Sequence, residues 1–410
     1  MDKITVIDSM MGTGKTSWMI KYLQNNSHIK FIYVAQYIDE VQRIISCVPN
    51  SFEPIYSNQK NKSEHFIQLI KSGASIVTTH ELFKRLDLQT KSLIKHIGYI
   101  LILDEVIDVV SQYKISGKDI EYLLKSNAIK INDYGILNWI DEEYYQFDDT
   151  DYRFSDIKRY SELSQLIYIN NSVLFWQYPP QIFDSFNHIY ILTYLFKYQP
   201  QKYYFDLYKL SYNFKSIIKY DNEYHMVEYY HSDLNKYKSL INICEHKKLN
   251  EIGDKPTALS KAWFSNSYYS DDQIKLKKNI HNYISNILNC KSTDLIWTIY
   301  KEDNDGDELI NSFKGVKHSK YNFLPMNKRS TNDYRDRTVA IYAVNRFMNP
   351  IIKNNFFGTF DMQINEDGYA LCDMIQWIWR TSIRNGNKIN VYLPSKRMRE
   401  IYYKWLNNEL

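Results

Sequence analysis

The feature that most constrains this chain is a glycine-containing loop between a strand pattern and a helical pattern. The strand pattern is Ile4–Asp8, and the loop that follows reads Ser9-Met10-Met11-Gly12-Thr13-Gly14-Lys15-Thr16. Gly12 and Gly14 allow backbone N–H groups to turn inward around phosphate oxygens. The N-terminus of a helix that begins at Lys15 adds partial positive charge. The loop therefore predicts a phosphate-binding site in a parallel α/β sheet.

Lys15 and Thr16 give the loop its expected chemistry. The Lys15 ammonium is predicted to reach the β- and γ-phosphates of a nucleotide, and the Thr16 hydroxyl to hold Mg²⁺. Loops of this kind usually begin with Gly or Ala, and Ser9 is a small substitute. The alternative is a strand-to-helix turn in which Gly-Lys-Thr occurs by chance.

A second motif supplies acidic groups. The run Tyr99–Leu103 has the composition of a buried strand and is followed by Asp104 and Glu105. Ligands of parallel sheets bind at the carboxyl ends of strands. We therefore expect Asp104 to bind Mg²⁺ through water and Glu105 to orient and deprotonate an attacking water. A strand that ends in a solvated acidic turn is the alternative interpretation.

The first part of the chain alternates strand and helix patterns, which is typical of βαβ units and a parallel sheet. Helical patterns begin at Lys15, Ile38, Ser63 and Glu81. The polar, acidic, tyrosine-rich stretch at about 107–187 is interpreted as a helical insertion. The predicted strands are Ile4–Asp8, Phe31–Ala35, Ala74–Thr78, Tyr99–Leu103 and Ile189–Leu192.

The second part repeats the alternation after a charged stretch. The pattern predicts an N-terminal domain over 1–200, a connection over 201–255 and a C-terminal domain over 256–410. In the C-terminal domain, strands are predicted at Leu295–Tyr300, Phe323–Met326 and Ile389–Leu393, and helices over Val339–Phe347, over Tyr369–Arg384 and from Ser395.

Composition excludes several classes of protein. The apolar runs are far shorter than the roughly 20 residues of a membrane span. The four cysteines have no paired spacing, which argues against a disulfide framework or a zinc site and favours a cytoplasmic protein without a membrane partner. The net charge of +4 is too small to prove a nucleic-acid partner. Abundant Asn, Lys, Ile and Tyr with few glycines indicate a low-GC genome.

The two motifs together resemble those of superfamily 2 helicases. Gly12–Thr16 is similar to motif I and Asp104-Glu105-Val106 to motif II, and Leu103–Gln112 resembles the same region of viral origin-binding helicases. The resemblance implies two tandem RecA-like P-loop domains, with ATP and Mg²⁺ as cofactors. It also implies a phage- or virus-encoded protein of the host cell cytoplasm.

Other segments follow in the family's order. Phe31–Gln36, Thr78–His80, Leu192–Phe196 and Arg329–Asp333 lie where motifs Ia, Ib, III and V are expected. A strand followed by a polar turn is the alternative for each segment. Trp297, Trp377 and Trp379 are expected to pack in a core, although they could stack bases. The resemblance implies that the nucleic acid is contacted by Gln36, Thr79, Thr193, Arg329 and Thr331.

A basic stripe completes the resemblance. Gln376, Arg380 and Arg384 are spaced by four residues on the predicted helix, so each advances only about 40° around it. They resemble motif VI, whose Gln and arginines face the nucleotide and stabilise charge on the transferred phosphate. The family usually spaces its arginines three apart, which leaves open which arginine contacts phosphate. A solvated basic face is the alternative.

The sequence thus predicts a nucleic-acid-dependent ATPase, a DNA helicase or translocase that acts in viral replication. Its partner is expected to be single-stranded or forked DNA, with RNA as the alternative. A DNA-packaging ATPase and nuclease is a second hypothesis, in which Asp361, Glu366, Asp367 and Asp373 would hold metal ions. A nucleotide-switched origin-binding or loader protein without unwinding is a third.

Overall fold

The computed structural model describes residues 3–56, 61–86, 88–140, 153–301, 309, 313, 322–326 and 334–410. The chain divides into two compact units. The first comprises Met1–Ser9, Gly14–Tyr229 and Asn349–Ile364, and the second comprises Met10–Thr13, Tyr230–Met348 and Asn365–Leu410. Both units contain parallel sheets, which confirms the prediction of a mixed α/β fold. The domain boundaries at 200 and 256 stay a prediction.

The strands of the first unit include all five that were predicted. Ile4–Asp8 and Phe31–Ala35 have the predicted bounds, and the other three differ by one residue at each end. In chain order the strands are β1 (Ile4–Asp8), β2 (Phe31–Ala35), β3 (Ser51–Phe52), β4 (Ser75–Thr79), β5 (Ile100–Asp104), β6 (Val110–Gln112), β7 (Ile129–Ile131), β8 (Leu137–Trp139), β9 (Leu166–Ile169), β10 (Val173–Gln177), β11 (His188–Thr193), β12 (Tyr212–Tyr220) and β13 (Glu223–Glu228).

Eight of these strands form the main sheet of the first unit, in the order β13-β12-β1-β11-β5-β2-β4-β3. Every neighbouring pair is parallel except β12 with β13. The register pairs Asp8 with Thr193 and Leu192 with Asp104. The carboxyl ends of β1, β11 and β5 therefore lie side by side.

The helices of the first unit follow local signals in the sequence. The Asn61 side chain caps the third one and forms a capping box with Glu64, and Pro200 opens the eighth, where its missing N–H costs nothing. The helices are α1 (Lys15–Asn25), α2 (Ile38–Cys47), α3 (Lys62–Lys71), α4 (His80–Phe83), α5 (Leu88–Ile97), α6 (Gly117–Lys125), α7 (Ser155–Glu162) and α8 (Pro200–Leu207), with short 3₁₀ helices at Pro180–Ser185 and Phe196–Tyr198.

The prediction of a helical insertion at 107–187 is wrong. Its described residues hold five strands, β6 to β10, besides α6 and α7. β6, β10 and β9 form an antiparallel sheet, and β7 pairs with β8. These strands are three to five residues long. Segments so short, separated by polar turns, leave no long periodic pattern from which to recognise them.

A segment from the C-terminal half of the chain packs in the first unit. Asn349–Ile364 contains a π-helix at Ile351–Phe356 and a 3₁₀ helix at Phe357–Phe360. The ring centroid of Phe356 lies 5.3 Å from that of Phe175 on β10. These aromatic contacts anchor the segment to the inserted sheet.

The second unit contains a four-stranded parallel sheet in the order β14-β17-β16-β15, whose strands are β14 (Ile241–Ile243), β15 (Leu295–Thr298), β16 (Val339–Tyr342) and β17 (Ile389–Tyr392). The predicted strands at Leu295–Tyr300 and Ile389–Leu393 are confirmed, with shorter bounds. Its helices are α9 (Asn235–Lys238), α10 (Lys247–Asn250), α11 (Lys261–Ser265), α12 (Ser270–Asn282), α13 (Glu366–Ile378) and α14 (Lys396–Leu406). Shorter helical turns lie at Glu251–Gly253, Ser267–Tyr269, Tyr283–Ile287, Ser292–Asp294 and Ser382–Asn385.

Two predictions in this unit are wrong. Val339–Phe347 is not helical, because its first four residues form the fully buried strand β16. A short continuous apolar run fits a buried strand and a buried helix equally well by pattern alone. Phe323–Met326 is not a strand either, since only Phe323 forms a bridge, with Trp297.

The predicted helix over Tyr369–Arg384 is also wrong at its C-terminal end. α13 ends at Ile378, and the Thr381 hydroxyl donates to the Ile378 carbonyl at 2.8 Å. The extended backbone of Thr381 then diverts the chain into a 3₁₀ turn over Ser382–Asn385. Gln376, Arg380 and Arg384 therefore do not form one stripe on a continuous helix.

The tryptophans pack in the core of the second unit, as expected. Trp297, Trp377 and Trp379 are each at most 2% exposed. The Trp377 indole N–H also donates to the Leu324 carbonyl at 2.9 Å. Buried tryptophans of this kind stabilise the fold and are inaccessible to a base.

We predict that Trp377→Ala lowers the free energy of unfolding by about 3–5 kcal/mol, because it leaves a cavity and an unpaired carbonyl. Urea denaturation followed by circular dichroism measures the change. Tyr268, 79% exposed in the same unit, is the control. Tyr268→Ala should change the unfolding free energy by less than about 0.5 kcal/mol. Equal effects of the two substitutions would contradict the assignment of Trp377 to the core.

Candidate active site

The loop that follows β1 has the backbone of a phosphate cradle. Gly12 has φ +83° and Gly14 has φ +95°, left-handed values that glycine adopts without strain. α1 begins at the next residue, Lys15, so the helix N-terminus opens toward the loop. The positive end of the α1 dipole therefore lies at the loop.

Ser9 ties the base of the loop to both neighbouring strands. Its backbone N–H donates to the Thr193 carbonyl at 3.0 Å, at the end of β11. Its hydroxyl accepts from the Ile217 backbone N–H at 2.9 Å, on β12. Glycine or alanine could not accept this second bond, which gives a structural reason for serine at this position.

Gly14 is required for steric reasons as well as for its backbone angle. A Cβ atom built on Gly14 would overlap the ring of Tyr224, which projects from β13. The ion pair between Lys21 on α1 and Glu223, at 2.6 Å, lies beside this contact. The β12–β13 hairpin thus covers one side of the loop, and sequence analysis gave no signal for Tyr224.

The Lys15 side chain is held at the loop by the backbone of Ser9. The ammonium nitrogen donates to the Ser9 carbonyl at 2.5 Å, and the residue is 9% exposed. Its charge lowers the pKa of both Asp8 and Asp104 relative to burial alone. The Lys15 cation is therefore close enough to both carboxylates to stabilise their charged forms.

Asp104 lies at the end of β5 and contacts two hydroxyl groups. Its Oδ1 accepts from the Thr16 hydroxyl at 3.3 Å, and its Oδ2 accepts from the Tyr33 hydroxyl at 2.8 Å. Burial raises the pKa of Asp104, and the bond from Tyr33, followed by the charges of Arg43 and Lys15, opposes that shift. Burial and the Asp104 carboxylate hold the pKa of Tyr33 well above its ordinary value, so Tyr33 remains a donor.

Thr16 and Asp104 fit a magnesium ion by the chemistry of their donors. Mg²⁺ prefers oxygen ligands and keeps several waters. The two side chains present a hydroxyl and a carboxylate oxygen to the same point, while Tyr33 orients the carboxylate. Sequence analysis missed Tyr33, because a tyrosine inside an apolar strand has the same pattern whether or not its hydroxyl serves a site.

Glu105 follows directly and has an unusual backbone. Its φ is +84°, in the left-handed region that non-glycine residues rarely adopt, and its N–H donates to the Leu192 carbonyl at 3.0 Å. Its carboxylate accepts from the Thr193 hydroxyl at 3.1 Å. Strained backbone of this kind clusters at functional sites, where the surrounding structure maintains it.

Three of the five residues expected to contact nucleic acid are among those that the structure describes, and they lie at the carboxyl ends of strands of the main sheet. Thr79 ends β4, and Gln36 follows the last residue of β2, Ala35, which is paired with Thr79. Thr193 ends β11 beside Glu105. Arg329 and Thr331 lie outside the described residues. Their roles stay predictions.

The three residues of the expected basic stripe have different surroundings. Gln376 and Arg380 are buried, at 9% and 6% exposure, so the alternative of a solvated basic face is also wrong for them. Arg384 is exposed on its 3₁₀ turn. In the second unit, to which Gly12 and Arg384 both belong, a Cβ on Gly12 would lie 3.4 Å from Cγ of Arg384. Of the three residues, Arg384 is therefore the one that approaches Gly12.

The carboxylates considered for a nuclease centre are mostly engaged in protein contacts. Asp373 pairs with Arg346 at 2.6 Å, and Asp367 pairs with Arg397 at 2.7 Å. Glu366 accepts from the Met348 backbone N–H at 3.2 Å. Among the described residues, no group of three or more His, Cys, Asp or Glu is arranged to hold a metal ion.

Comparison with known proteins identifies the family. Residues 235–406 match the model of the YonV C-terminal Rossmann-like domain, and residues 110–176 match the model of the YonV middle domain. Over 426 residues the chain is 39% identical to the SPbeta prophage-derived uncharacterized protein YonV of Bacillus subtilis (strain 168), and the match covers 100% of both chains. This chain belongs to the YonV family. The middle-domain model covers β6 to β10, and the C-terminal model covers the parallel sheet of the second unit.

Two solved structures are similar over most of the chain. An apo XPD structure has a TM-score of 0.43 at 13% identity and covers 99% of this chain and 96% of its own. The structure of S. tokodaii Xpd4 has a TM-score of 0.42 at 13% identity, with coverages of 98% and 94%. Both scores are too low to establish a shared fold.

Within the described residues, no helix is long and apolar enough to cross a membrane.

We predict that Gly14→Ala weakens binding of inorganic triphosphate by at least about tenfold, because strain in the left-handed region costs roughly 1–2 kcal/mol. Isothermal titration measures the affinity. Gly117→Ala is the control, since a Cβ there meets nothing within 4 Å. Adding Tyr224→Ala to Gly14→Ala should restore part of the affinity, by removing the overlap but not the strain. Wild-type affinity in Gly14→Ala would refute the cradle.

Proposed function

We propose that this protein is a nucleic-acid-dependent ATPase, a DNA helicase or translocase that couples ATP hydrolysis to movement on DNA. The proposal includes two RecA-like domains, over 1–200 and 256–410. Within the predicted connection 201–255, β12 and β13 extend the main sheet of the first unit and β14 pairs in the sheet of the second. It also includes a phage origin, a role in viral replication and a location in the host cell cytoplasm. The prophage-derived relative supports the phage origin.

One observation supports the ATPase above all others. Thr16 contacts Asp104 and Thr193 contacts Glu105, at the edge of the sheet where the glycine loop opens. A chance Gly-Lys-Thr turn would have no reason to lie against a carboxylate pair from a strand about 90 residues further along the chain. This convergence favours a nucleotide site over the alternative of an ordinary turn.

Each residue of this site has an expected role. Lys15 and the N–H groups of Ser9–Thr16 would hold the phosphates of ATP, and Thr16 with Asp104 would hold Mg²⁺. Bound there, Mg²⁺ would supply neutralisation of the charge on the β- and γ-phosphate oxygens. Glu105 would orient the attacking water and accept its proton. Arg384 is proposed to stabilise charge on the transferred phosphate, with Gln376 and Arg380 as supporting residues.

The nucleic-acid part of the proposal rests on the order of the motifs. Gln36, Thr79 and Thr193 are proposed to contact the strand from the loops that follow β2, β4 and β11, together with Arg329 and Thr331. Such contacts would be made mainly to the negatively charged phosphates of the nucleic acid. Since the net charge of the protein is only +4, the proposal requires its Lys and Arg side chains to be clustered near the bound strand.

We predict that Lys15→Ala lowers the rate of ATP hydrolysis by roughly 100-fold or more, because it removes the cation at the developing phosphate charge. The release of inorganic phosphate measures the rate. Lys21→Ala, on the exposed face of the same helix, is the matched control and should retain wild-type activity. A Lys15→Ala protein that hydrolyses ATP at the wild-type rate would refute the site.

Glu105→Gln should retain ATP binding but slow turnover by roughly 100-fold, since glutamine cannot accept the proton of the water. Equilibrium binding of ATP and single-turnover hydrolysis, measured on the same preparation, separate these two effects. Loss of ATP affinity with an unchanged single-turnover rate would contradict the role of Glu105.

Tyr33→Phe should raise the Mg²⁺ concentration needed for half-maximal hydrolysis by roughly 10- to 100-fold, because partners of a metal ligand tune its affinity to that extent. A titration of activity with Mg²⁺ measures the shift. Tyr99→Phe is the matched control, since the Tyr99 hydroxyl donates to the Ala74 carbonyl in the same unit. Equal shifts in both variants would show that Tyr33 has no specific link to the metal site.

The motor itself is tested by the ATPase rate without nucleic acid and with single-stranded DNA, duplex DNA and RNA, at several salt concentrations. Stimulation that falls steeply with salt supports a motor that binds phosphates. Tight DNA binding with little turnover would favour the loader hypothesis instead. The pairing of Asp367 and Asp373 with arginines disfavours the nuclease hypothesis.

A further inference from the structure

Asp8 is a buried carboxylate that the mechanism above does not use. It is the last residue of β1, immediately before the loop, and it is 5% exposed. One carboxylate oxygen accepts from the Leu195 backbone N–H and the other from the Phe196 backbone N–H, both at 2.9 Å. The carbonyl of Asp8 also accepts from the Ser216 hydroxyl on β12, at 3.2 Å.

The two N–H groups belong to a strained turn that follows β11. Leu195 has φ +60°, in the left-handed region that a leucine rarely adopts. A 3₁₀ helix begins at Phe196, so both donors lie at the start of a helical turn. Each carboxylate oxygen of Asp8 accepts one of these two adjacent N–H groups, so one side chain holds the turn at two points.

The same turn begins with the hydroxyl that contacts Glu105. Thr193 lies two residues before Leu195, its hydroxyl donates to the Glu105 carboxylate, and its carbonyl accepts from Ser9. Asp8 therefore holds the turn at Leu195 and Phe196, and Thr193, two residues earlier in the chain, contacts Glu105. All of these residues belong to the first unit.

Burial of a carboxylate at this position is costly, which argues for a function. Removing the charge from water raises the pKa of Asp8, and the two N–H donors and the charge of Lys15 oppose that shift. A smaller polar residue could accept one of the two bonds at a lower desolvation cost. The second carboxylate oxygen of Asp8 adds a second bond to the turn, which restricts the Leu195–Phe196 backbone to one conformation.

We propose that Asp8 is a positioning residue for hydrolysis: it fixes the Leu195–Phe196 turn so that the Thr193 hydroxyl holds the Glu105 carboxylate in its working orientation. The proposal rests on the proposed function, in which Glu105 acts on the attacking water. Asp8 itself contacts neither nucleotide nor water in this scheme and acts only through Thr193.

The test measures ATP binding and ATP turnover separately in an Asp8 variant. Asp8→Asn presents an NH₂ group to one of the two N–H donors, so the turn loses its fixed geometry. We expect kcat for ATP hydrolysis to fall about 10- to 100-fold while the ATP dissociation constant changes less than about threefold. Asp119→Asn is the control, because Asp119 on α6 pairs with Arg153 outside this network, and it should leave both quantities unchanged.

A double-mutant cycle distinguishes positioning from general damage. Thr193→Val removes the hydroxyl and should lower kcat by a similar factor, and the double variant should lose no more than either single variant. Thr193→Ser keeps the hydroxyl and should retain most of the activity. Multiplicative losses in the double variant would overturn the proposal. So would a Thr193→Val protein with wild-type kcat, a result that needs no folded Asp8→Asn protein.

Lys15→Ala in the same assay separates this proposal from the proposed function. If the wild type hydrolyses ATP and Lys15→Ala does not, wild-type kcat in Asp8→Asn overturns only the positioning role. If Lys15→Ala hydrolyses ATP as fast as the wild type, the nucleotide site itself is wrong.

Discussion

The parallel pairing of β11 between β1 and β5 is the constraint on which the candidate site depends. β1 delivers the glycine loop, β5 delivers Asp104 and Glu105, and β11 ends between them with Thr193. Since the ends of parallel strands share one edge of a sheet, each side chain is placed by the hydrogen bonds of its own strand. The register that aligns Asp8 with Thr193 and Leu192 with Asp104 leaves the Thr193 hydroxyl within reach of Glu105. A shift of one residue would turn these side chains to the opposite face.

Burial of charge gives this edge its chemical character. Lys15 and Asp8 are buried and Asp104 is half-buried, and each is paired with a backbone group or a hydroxyl. Buried charges are tolerated only when they are hydrogen-bonded, so the network restricts each side chain to few orientations. The left-handed backbones of Glu105 and Leu195 are part of the same arrangement, because the bonds around them offset the strain.

The second unit uses acidic and basic residues in a different way. Arg346 donates to Asp373 and to the Tyr369 hydroxyl, and Arg397 pairs with Asp367 and stacks on Phe347. These contacts bind α13 and α14 to the segment that follows β16. Asp367 and Asp373, two of the acids considered for a metal centre, therefore stabilise the fold through these arginines. Arg399 on α14 also stabilises the fold, since it donates to the carbonyls of Leu393 and Pro394.

The sequence by itself determined the elements whose signals are local. The loop between Asp8 and Lys15, the strands around it and the carboxylates after Leu103 were all predictable, because the glycine loop fixes the order of strand, turn and helix and polar residues mark the strand ends. Only the tertiary structure decided that the chain turns away after Ile378 and that the insertion contains strands. Both features depend on residues distant in sequence, because the Ser382 N–H donates to the Arg337 carbonyl and β6 pairs with β10. It also decided which polar residues act together. No sequence motif marks Tyr33, Asp8 or Tyr224. They lie near the site because of the order and register of the strands, which the hydrophobic pattern of one sequence does not reveal.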